Sequence, residues 1–464
     1  MTAEDRLRDE IAKCRRCEAC RELVDTSCLV FPLMFRLVDE ERDTGEKISS
    51  EDLIQMVNLC NLCGICPCRD IRFAILNRKT EYVDQHGLEF KVRVIEGVER
   101  IGKLGGAFPR LTNILLQHKV SRGVMQNLLG IHQERRFPRF PNPDFGQWWR
   151  AHKPAAGKYS AARRKVAYFA GCTARYLFPE VATATVEVFE KSDVEVYVPP
   201  QQCCGMPTLL EGDRRSTVDF VSDNVERWTD IIEQGYNIIC SCPTCGYMLK
   251  TVISAGAQGY RLKRLLDESN GDYVEMPVGR SMFVHVHPQA DGILRVPKQY
   301  VESLVKDTSY FTAIDPEKRL KISENTYDVG EYLRMLYQAN EVDTKFGRFD
   351  VEAVYYPPCH LREQRIESPY QDLLNLIPGF QMQPINGNYC CGNAGIMGFK
   401  KEFYQNSIKI AGRLISKIKK INPEMLTTEC LSCRLQFNQL TPYEVKHPVE
   451  IIRESYKNYS ETKA

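Results

Sequence analysis

The sequence predicts an α+β protein of several domains, in which a helical, cysteine-rich amino-terminal region is followed by two copies of one α/β unit. Three observations carry that expectation. Five cysteines recur at an offset of 187 or 188 residues, each set reading Cys, Cys-Cys-Gly, Cys-x-x-Cys: first Cys172, Cys203, Cys204, Cys242 and Cys245, then Cys359, Cys390, Cys391, Cys430 and Cys433. Five matched positions mark an internal repeat. Around each set, strand-like apolar runs alternate with amphipathic stretches of helical period, the order that builds a parallel sheet with ligand-bearing loops at its strand ends. Upstream, two Cys-x-x-Cys-x-x-Cys runs stand in charged, helix-compatible sequence.

The chain has 464 residues, enough for two or three cores. With 43 % hydrophobic and 26 % charged residues and a formal net charge of +2, it reads as a globular protein whose charge selects no partner class. The 19 cysteines are the informative number. Secreted disulfide frameworks are usually short, whereas this long chain opens Met1-Thr2-Ala3-Glu4-Asp5 without an apolar leader and has no run of about 18 apolar residues. The expected setting is a reducing cytoplasm, with peripheral attachment to the inner face of a membrane as a variant, and the cysteines are expected to serve metal or redox chemistry.

In the amino-terminal domain, residues 1–88, Cys14, Cys17 and Cys20 form one run and Cys60, Cys63 and Cys66 the other, with Cys28 and Cys68 as single thiols. Each triplet can wrap three corners of a cubane [4Fe-4S] cluster, the fourth ligand coming from elsewhere. In two-cluster ferredoxins each run borrows its fourth cysteine from the other; by that likeness Cys68 joins the first triplet and Cys28 the second. The spacings to Cys28 and Cys68 depart from the usual pattern. Structural zinc sites are the alternative, although zinc favours separated pairs over triplets.

Residues 89–164 form a basic connector. Leu111, Ile114, Leu115, Met125, Leu128 and Leu129 have helical apolar spacing, with an interruption expected at Gly123. Arg135, Arg136 and Arg139, then Arg163, Arg164 and Lys165, read as a solvated basic face or as a dock for an acidic partner or an anionic membrane. Nucleic acid is excluded for want of any accompanying recognition motif. From Phe137 to Pro143 the prolines predict an extended linker.

The first α/β unit, 165–250, begins with a strand from Lys165 to Phe169. A helix through Phe189 follows, then strands at Val194–Val198 and Tyr236–Ile239. Between these lies the amphipathic helix Ser216–Gln234, with Ser216 as its cap and Gly235 as its stop. Cys240 stands outside the repeat and reads as a buried strand thiol. Residues 251–345 form an insert whose His285 and His287 alternate onto one strand face, a weak metal signal without a third ligand. The second unit, 346–464, repeats the order, with a strand at Glu352–Tyr356, helices near Tyr370–Leu376 and Phe403–Ile418, and the closing Cys430 and Cys433. In both units the adjacent thiols demand a sharp turn, because neighbouring strand side chains point to opposite faces; Gly205 and Gly392 can supply it. Adjacent sulfurs suit a multi-iron cluster better than a single ion.

These motifs resemble the iron–sulfur subunits of the heterodisulfide reductase D and anaerobic glycerol-3-phosphate dehydrogenase C family. Similarity to the glycerol-phosphate branch lies in Tyr389-Cys390-Cys391-Gly392-Asn393-Ala394-Gly395, in Gly398-Phe399-Lys400-Lys401-Glu402 and in His447-Pro448. The resemblance implies two cubane clusters on Cys14, Cys17, Cys20, Cys28, Cys60, Cys63, Cys66 and Cys68, and one or two non-cubane [4Fe-4S] clusters, each on the five cysteines of a complete unit. In the glycerol-phosphate branch the first unit often lacks a cysteine of its Cys-x-x-Cys; here Cys242 and Cys245 are both present, as in enzymes that cleave a disulfide between two such clusters.

The expected function is therefore an oxidoreductase subunit that relays electrons between a flavoprotein dehydrogenase or other donor and a quinone, protein or thiol acceptor. A membrane or quinone-reactive subunit is a candidate partner. The alternative is a catalytic subunit that cleaves a disulfide at the non-cubane clusters, with Arg175, His360, Arg362 and Arg434 orienting anionic groups or, equally, serving packing and hydrogen bonding. A zinc-stabilised scaffold ranks last.

Overall fold

The computed structural model describes residues 2–23, 28–66, 68–152, 164–269, 271–277, 293–298 and 310–461. Arg163, His285 and His287 lie outside the described residues. The amino-terminal region is helical, with helices Ala3–Cys17, Cys20–Leu23, Val30–Thr44, Ser50–Asn58 and Arg69–His86. Thr2 and Asp5 form a capping box at its start. Leu7, Met34, Leu53, Met56 and Ile71 close a core of their own there.

Each α/β unit builds a four-stranded parallel sheet. In the first, β1 (Arg164–Phe169), β2 (Val194–Tyr197) and β3 (Asn237–Cys240) are joined by a strand from beyond the hairpin β4 (Tyr273–Pro277) and β5 (Ile293–Pro297); that strand, β6 (Thr326–Asp328), lies beside β3. The second contains β7 (Val351–Tyr355), β8 (Phe380–Pro384), β9 (Met425–Thr427) and β10 (Glu444–Lys446). The orders are β2-β1-β3-β6 and β8-β7-β9-β10, so the cysteine repeat is a repeat of topology. The fourth strand of each sheet has only three residues, Thr326-Tyr327-Asp328 and Glu444-Val445-Lys446, too short and too polar for a strand pattern to stand out.

Two local expectations change. The long helix runs Arg214–Glu233 and is capped by Asp213, whose side chain accepts from the Ser216 N–H; Asp213 lies one residue before the helix, where its carboxylate can reach an unsatisfied amide. No break occurs at Gly123, because the helix Lys119–Leu129 passes through it and the chain turns at His118 instead.

The two units share one core. Val166, Tyr168 and Ile239 of the first sheet pack with Ala353 and Met425 of the second, and the helices Pro179–Lys191 and Pro448–Glu461 lie against each other. Polar bridges tie in the amino-terminal region. Glu211, in the first unit, meets Lys400 of the second at 2.6 Å and Lys79 of the amino-terminal region at 3.6 Å, all three buried. Burial opposes the Glu211 charge, but the two ammonium groups outweigh it and hold the carboxyl below its usual range. Arg72 pairs with Glu363 across the same boundary.

His447 joins the units at depth. Its Nε2–H donates to the Ser241 carbonyl at 3.0 Å and its Nδ1 accepts the Val449 N–H at 3.1 Å, so the ring is neutral. Burial pushes its pKa down to about 3. Since the unfolded ring protonates near pH 6.5 and the folded ring does not, this contribution is complete above about pH 6.5 and is lost as pH falls towards 3. Between pH 7.5 and 5 the loss from His447 is about 2 kcal/mol. Urea midpoints across that range should therefore decline less steeply in His447→Gln than in the parent chain.

Candidate functional site: a cysteine-lined cleft between the two units

Parallel strands leave their loops at the carboxyl ends, and that is where all ten repeat cysteines sit. Cys172 follows β1, Cys203 and Cys204 follow β2, and Cys242 and Cys245 follow β3; Cys359, Cys390 and Cys391, and Cys430 and Cys433 follow β7, β8 and β9. The two sheets aim these ends at one another. A single cleft, enclosing about 1400 Å³ with its solvent-open part, is lined by Cys172, Cys204, Cys242 and Cys245 from the first unit and all five cysteines from the second. Cys203 sits just behind the wall, its sulfur 3.9 Å from that of Cys172.

Within each set the sulfurs are close enough to govern one another's protonation. Hydrogen bonds from Cys203 and Cys245 lower Cys204 to about 6, and one from Cys245 lowers Cys242 to about 7. In the second set Cys391 is held well below the usual thiol range, first by Cys390 and Cys433 and then, more weakly, by the Arg135 guanidinium. Cys359 is pushed up to about 12, by burial first and by Cys430 and Cys391 next. The lowering is uneven, since the same hydrogen bonds push Cys203 and Cys390 well above the usual thiol range, so binding metal as thiolates would release the protons these partners keep.

The turns carrying the paired thiols are buttressed differently. The Cys203 N–H donates to a Glu99 carboxylate oxygen at 2.6 Å, and Asn224 brackets the turn by accepting from the Gln202 N–H at 3.0 Å and donating to the Cys203 carbonyl at 2.9 Å. At the second turn the Tyr389 carbonyl accepts from the Tyr356 hydroxyl at 2.9 Å and from Arg362 at 3.1 Å. Gly171 has a packing reason as well: a Cβ there would lie 2.7 Å from the Cys245 sulfur.

The amino-terminal cysteines fall into two neighbourhoods. Cys28, Cys60, Cys63 and Cys66 line a second, smaller cavity. Cys63 lines the large cleft too, as does Asn61, so these two residues face both spaces. Burial raises Cys14 to about 11, with further contributions from Cys20, Cys68, Glu10 and Cys17. Cys17 and Cys68 are exposed. Among the described residues no three Cys, His, Asp or Glu side chains converge tightly enough to hold a single metal ion.

Of the four basic residues expected beside the repeat cysteines, only His360 lines the cleft. It is buried, shares a hydrogen bond with the Thr244 hydroxyl at 2.9 Å, reaches the Leu62 carbonyl at 3.2 Å and stacks on Tyr247, so it touches all three regions. Arg175 donates to the Gln201 carbonyl at 3.0 Å, Arg362 to the Pro357 carbonyl at 2.8 Å, and Arg434 pairs with Glu450 at 2.9 Å and Glu180 at 3.1 Å. These arginines brace loops. Arg135 is no surface charge either: it is buried and donates to the Gly398 carbonyl, Gln436 and the Ser407 hydroxyl. Cys240, fully buried at the end of β3, packs in the first unit's core. Among the described residues none that lines the cleft is Lys, Arg, Asp or Glu, and the far wall is apolar, with Ile95, Val98, Phe137, Phe140, Ile396 and Phe399.

Comparison with known proteins adds one decisive match: the cysteine-rich domain model CCG fits residues 166–250 and again 353–438. The chain contains the CCG cysteine-rich domain twice. Its two CCG domains are thus the two halves of the cleft. Among curated relatives, a subunit of the anaerobic glycerol-3-phosphate dehydrogenase of Escherichia coli strain K12 is 21 % identical over 368 residues, covering 78 % of this chain and 76 % of that protein. A subunit of the fumarate reductase (CoM/CoB) of Methanothermobacter marburgensis is 25 % identical over 275 residues, 58 % of this chain and 41 % of that one. The lactate utilization protein A of Exiguobacterium sp. is 22 % identical over 300 residues, 63 % of this chain and 98 % of that one.

The CCG glycines make a direct test of the turn geometry. Both have left-handed backbones, with φ +87° at Gly205 and +81° at Gly392. A Cβ at Gly205 meets nothing nearer than 3.5 Å, whereas one at Gly392 would lie 2.2 Å from the Ser407 carbonyl oxygen. Gly205→Ala should therefore cost about 1 kcal/mol of backbone strain. Gly392→Ala should cost roughly 3 kcal/mol or more, because backbone must also move. Urea unfolding of the two variants separates the effects.

Proposed function

We propose that this chain is the iron–sulfur electron-transfer subunit of an anaerobic-type oxidoreductase complex. Residues 1–88 act as a two-cluster domain, with Cys14, Cys17, Cys20 and Cys68 for one cubane [4Fe-4S] cluster and Cys28, Cys60, Cys63 and Cys66 for the other. The CCG sets, Cys172, Cys203, Cys204, Cys242 and Cys245 and Cys359, Cys390, Cys391, Cys430 and Cys433, would each hold a non-cubane [4Fe-4S] cluster. Bound in these thiolate sites, such clusters supply reversible one-electron storage. The donor is a flavoprotein dehydrogenase or another redox protein, and the chain works on the cytoplasmic side.

The observation that carries this reading is that nine of the ten repeat cysteines line one cleft, with Cys203 beside Cys172 behind its wall and Cys63 of the amino-terminal group in the wall of that cleft and of its own cavity. The names of two relatives, one part of a dehydrogenase and one part of a reductase, agree with it. The donor set fits: paired thiols on glycine turns, with Cys204 and Cys391 each lowered by hydrogen bonds from neighbouring thiols, are suited to a body carrying several irons. With an apolar far wall and, among the described residues, no Lys, Arg, Asp or Glu lining the cleft, a neutral acceptor such as a quinone is favoured over a highly charged one.

A second reading has its own support. Two cysteine sets opposed across one space are what cleavage of a disulfide between two clusters would require, each side delivering one electron to one sulfur, with the thiolates protonated from solvent. The cleft fits an uncharged disulfide, since Arg175, Arg362 and Arg434 are engaged elsewhere.

Anaerobically purified protein should contain about sixteen irons, and Cys391→Ser should lose about four of them without emptying the amino-terminal sites. Iron near eight, unchanged by Cys391→Ser, would limit the chain to the cubane pair. Zinc in a colourless protein would replace both redox readings with a metal-stabilised scaffold. The dithionite-reduced chain is also to be mixed with small neutral disulfides and, separately, with short-chain quinones. Reoxidation by quinone alone is the expected result, and turnover of disulfide to thiol would establish the second reading instead.

A further inference from the structure

The two CCG sites are alike in their thiols and unlike in the charges behind them. Arg135 is 2 % exposed, and among the described residues its side chain donates only to neutral groups: the Gly398 carbonyl, the Gln436 and Gln439 amide oxygens and, at 2.6 Å, the Ser407 hydroxyl. Its guanidinium lies 5.5 Å from the Phe399 ring centroid and 5.0 Å from that of Tyr404. No described carboxylate is within ion-pairing distance of it. A guanidinium keeps its proton inside a protein, so a full positive charge is enclosed there. Burial pushes its pKa down only to about 10, and the groups that draw it back up are Tyr404 and then Cys391. A buried cation without a counter-ion is costly to fold around unless an anion is bound beside it.

The place of this charge is behind the second glycine turn. Ser407, which accepts from Arg135, has its carbonyl oxygen only 2.2 Å from where a Cβ at Gly392 would lie. Gly398 leaves the space that the guanidinium occupies, since a Cβ there would meet Nη2 at 2.9 Å. Arg362 supports the same turn through the Tyr389 carbonyl at 3.1 Å, and it too has no carboxylate partner among the described residues. Glu363 is taken by Arg72, and Glu429, beside Cys430, accepts the Tyr355 hydroxyl at 2.7 Å.

The first site has a different balance. Arg175 follows Cys172 by three residues, as Arg362 follows Cys359, and it likewise donates to a carbonyl just before the CCG turn, that of Gln201. Here, however, Glu99 lies 3.7 Å from the guanidinium while holding the Cys203 N–H, so the two charges cancel. Lys103 also reaches Glu99, at 2.9 Å, but stands largely in water, which screens it. Behind Gly205 are Thr217 and Val221, not a cation. The segment between the amino-terminal region and the first CCG domain thus sends a carboxylate to one turn and a guanidinium to the other.

We propose that Arg135 and Arg362 make the second CCG site, on Cys359, Cys390, Cys391, Cys430 and Cys433, the electron-collecting one of the pair, by holding its midpoint potential above that of the first. This rests on the reading that both sites carry iron–sulfur clusters. Reduction adds one negative charge, and enclosed positive charge nearby favours that addition in a low-dielectric interior. Of one electron shared between the sites, the first gives it up and is oxidised, and the second takes it and is reduced. The two arginines are positioning residues, acting through the turn and its thiolates. Their site is also the one beside the amino-terminal thiols: His360, next to Cys359, reaches the carbonyl of Leu62, next to Cys63, at 3.2 Å.

The test is a potentiometric titration of the anaerobically purified full-length chain, followed by electron paramagnetic resonance, with iron counted in every sample. Cys204→Ser leaves the second CCG site complete, and Cys391→Ser leaves the first. The second site should titrate above the first by a tenfold or greater preference for the electron, a shift of about 59 mV or more. In the Cys204→Ser background, Arg135→Gln should lower that preference at least tenfold. Arg135→Lys should restore most of it, because it returns the charge without the fork of hydrogen bonds. Arg362→Gln should shift the midpoint in the same direction, and it carries the test if Arg135→Gln loses its iron. Equal midpoints, or a second site below the first, overturn the proposal. So does a Gln variant that keeps its iron and titrates where its parent does. Failure of the underlying reading has another signature, a parent chain with only about eight irons, seen before any midpoint is measured.

Discussion

A carboxylate shared by two buried ammonium groups sets the geometry on which the cleft depends. Glu211 draws Lys79 and Lys400 to one point, and those three residues come from the amino-terminal region and from each CCG domain. Ion pairs of this kind gain little over a well-packed apolar contact, but losing one member leaves uncompensated charge in the interior. The arrangement therefore favours one relative placement of three regions over neighbouring ones. His360 repeats the logic with hydrogen bonds, to Thr244 on one side and to Leu62 on the other. Because both anchors lie beside the cleft, its walls cannot part without breaking them.

Within that frame each element has a local cause. The thiols sit at one end of each sheet because its strands are parallel, so the loops that follow them all start at the carboxyl ends. Their protonation is set mainly by one another, and the residues behind the turns differ in sign: a buried glutamate holds the backbone of the first, while a buried arginine lies near the thiolate of the second. The repeat thus conserves topology without conserving electrostatic surroundings.

Much of this was legible in the sequence. The offset of 187 or 188 residues announced two sheets of one topology, and the spacing of Cys14 to Cys20 and Cys60 to Cys66 announced two clusters of thiols. That the two units would face each other across one cleft was not legible, because it depends on the placement of whole domains and on pairs as distant in sequence as Lys79 and Lys400. Arg135 looked like part of a charged surface since composition records charge but not depth. The apolar spacing at Leu111, Ile114 and Leu128 was visible; which way that stripe pointed was not, because periodicity is the same whether a helix buries its face or displays it. His285 and His287 fall outside the described residues.

The late position of β6 bears on how the chain is made. The first sheet lacks its fourth strand until the segment beyond β5 has been synthesised, so β3 leaves the ribosome with one side of its backbone unpaired. An open edge of that kind can recruit the wrong strand, but β6 precedes β7 in the chain, so the edge can be covered before the second CCG domain, which has the same topology, begins to emerge. The short polar β6 and its counterpart β10 then form the outer strands of the two sheets, with few apolar residues to offer a mispaired partner.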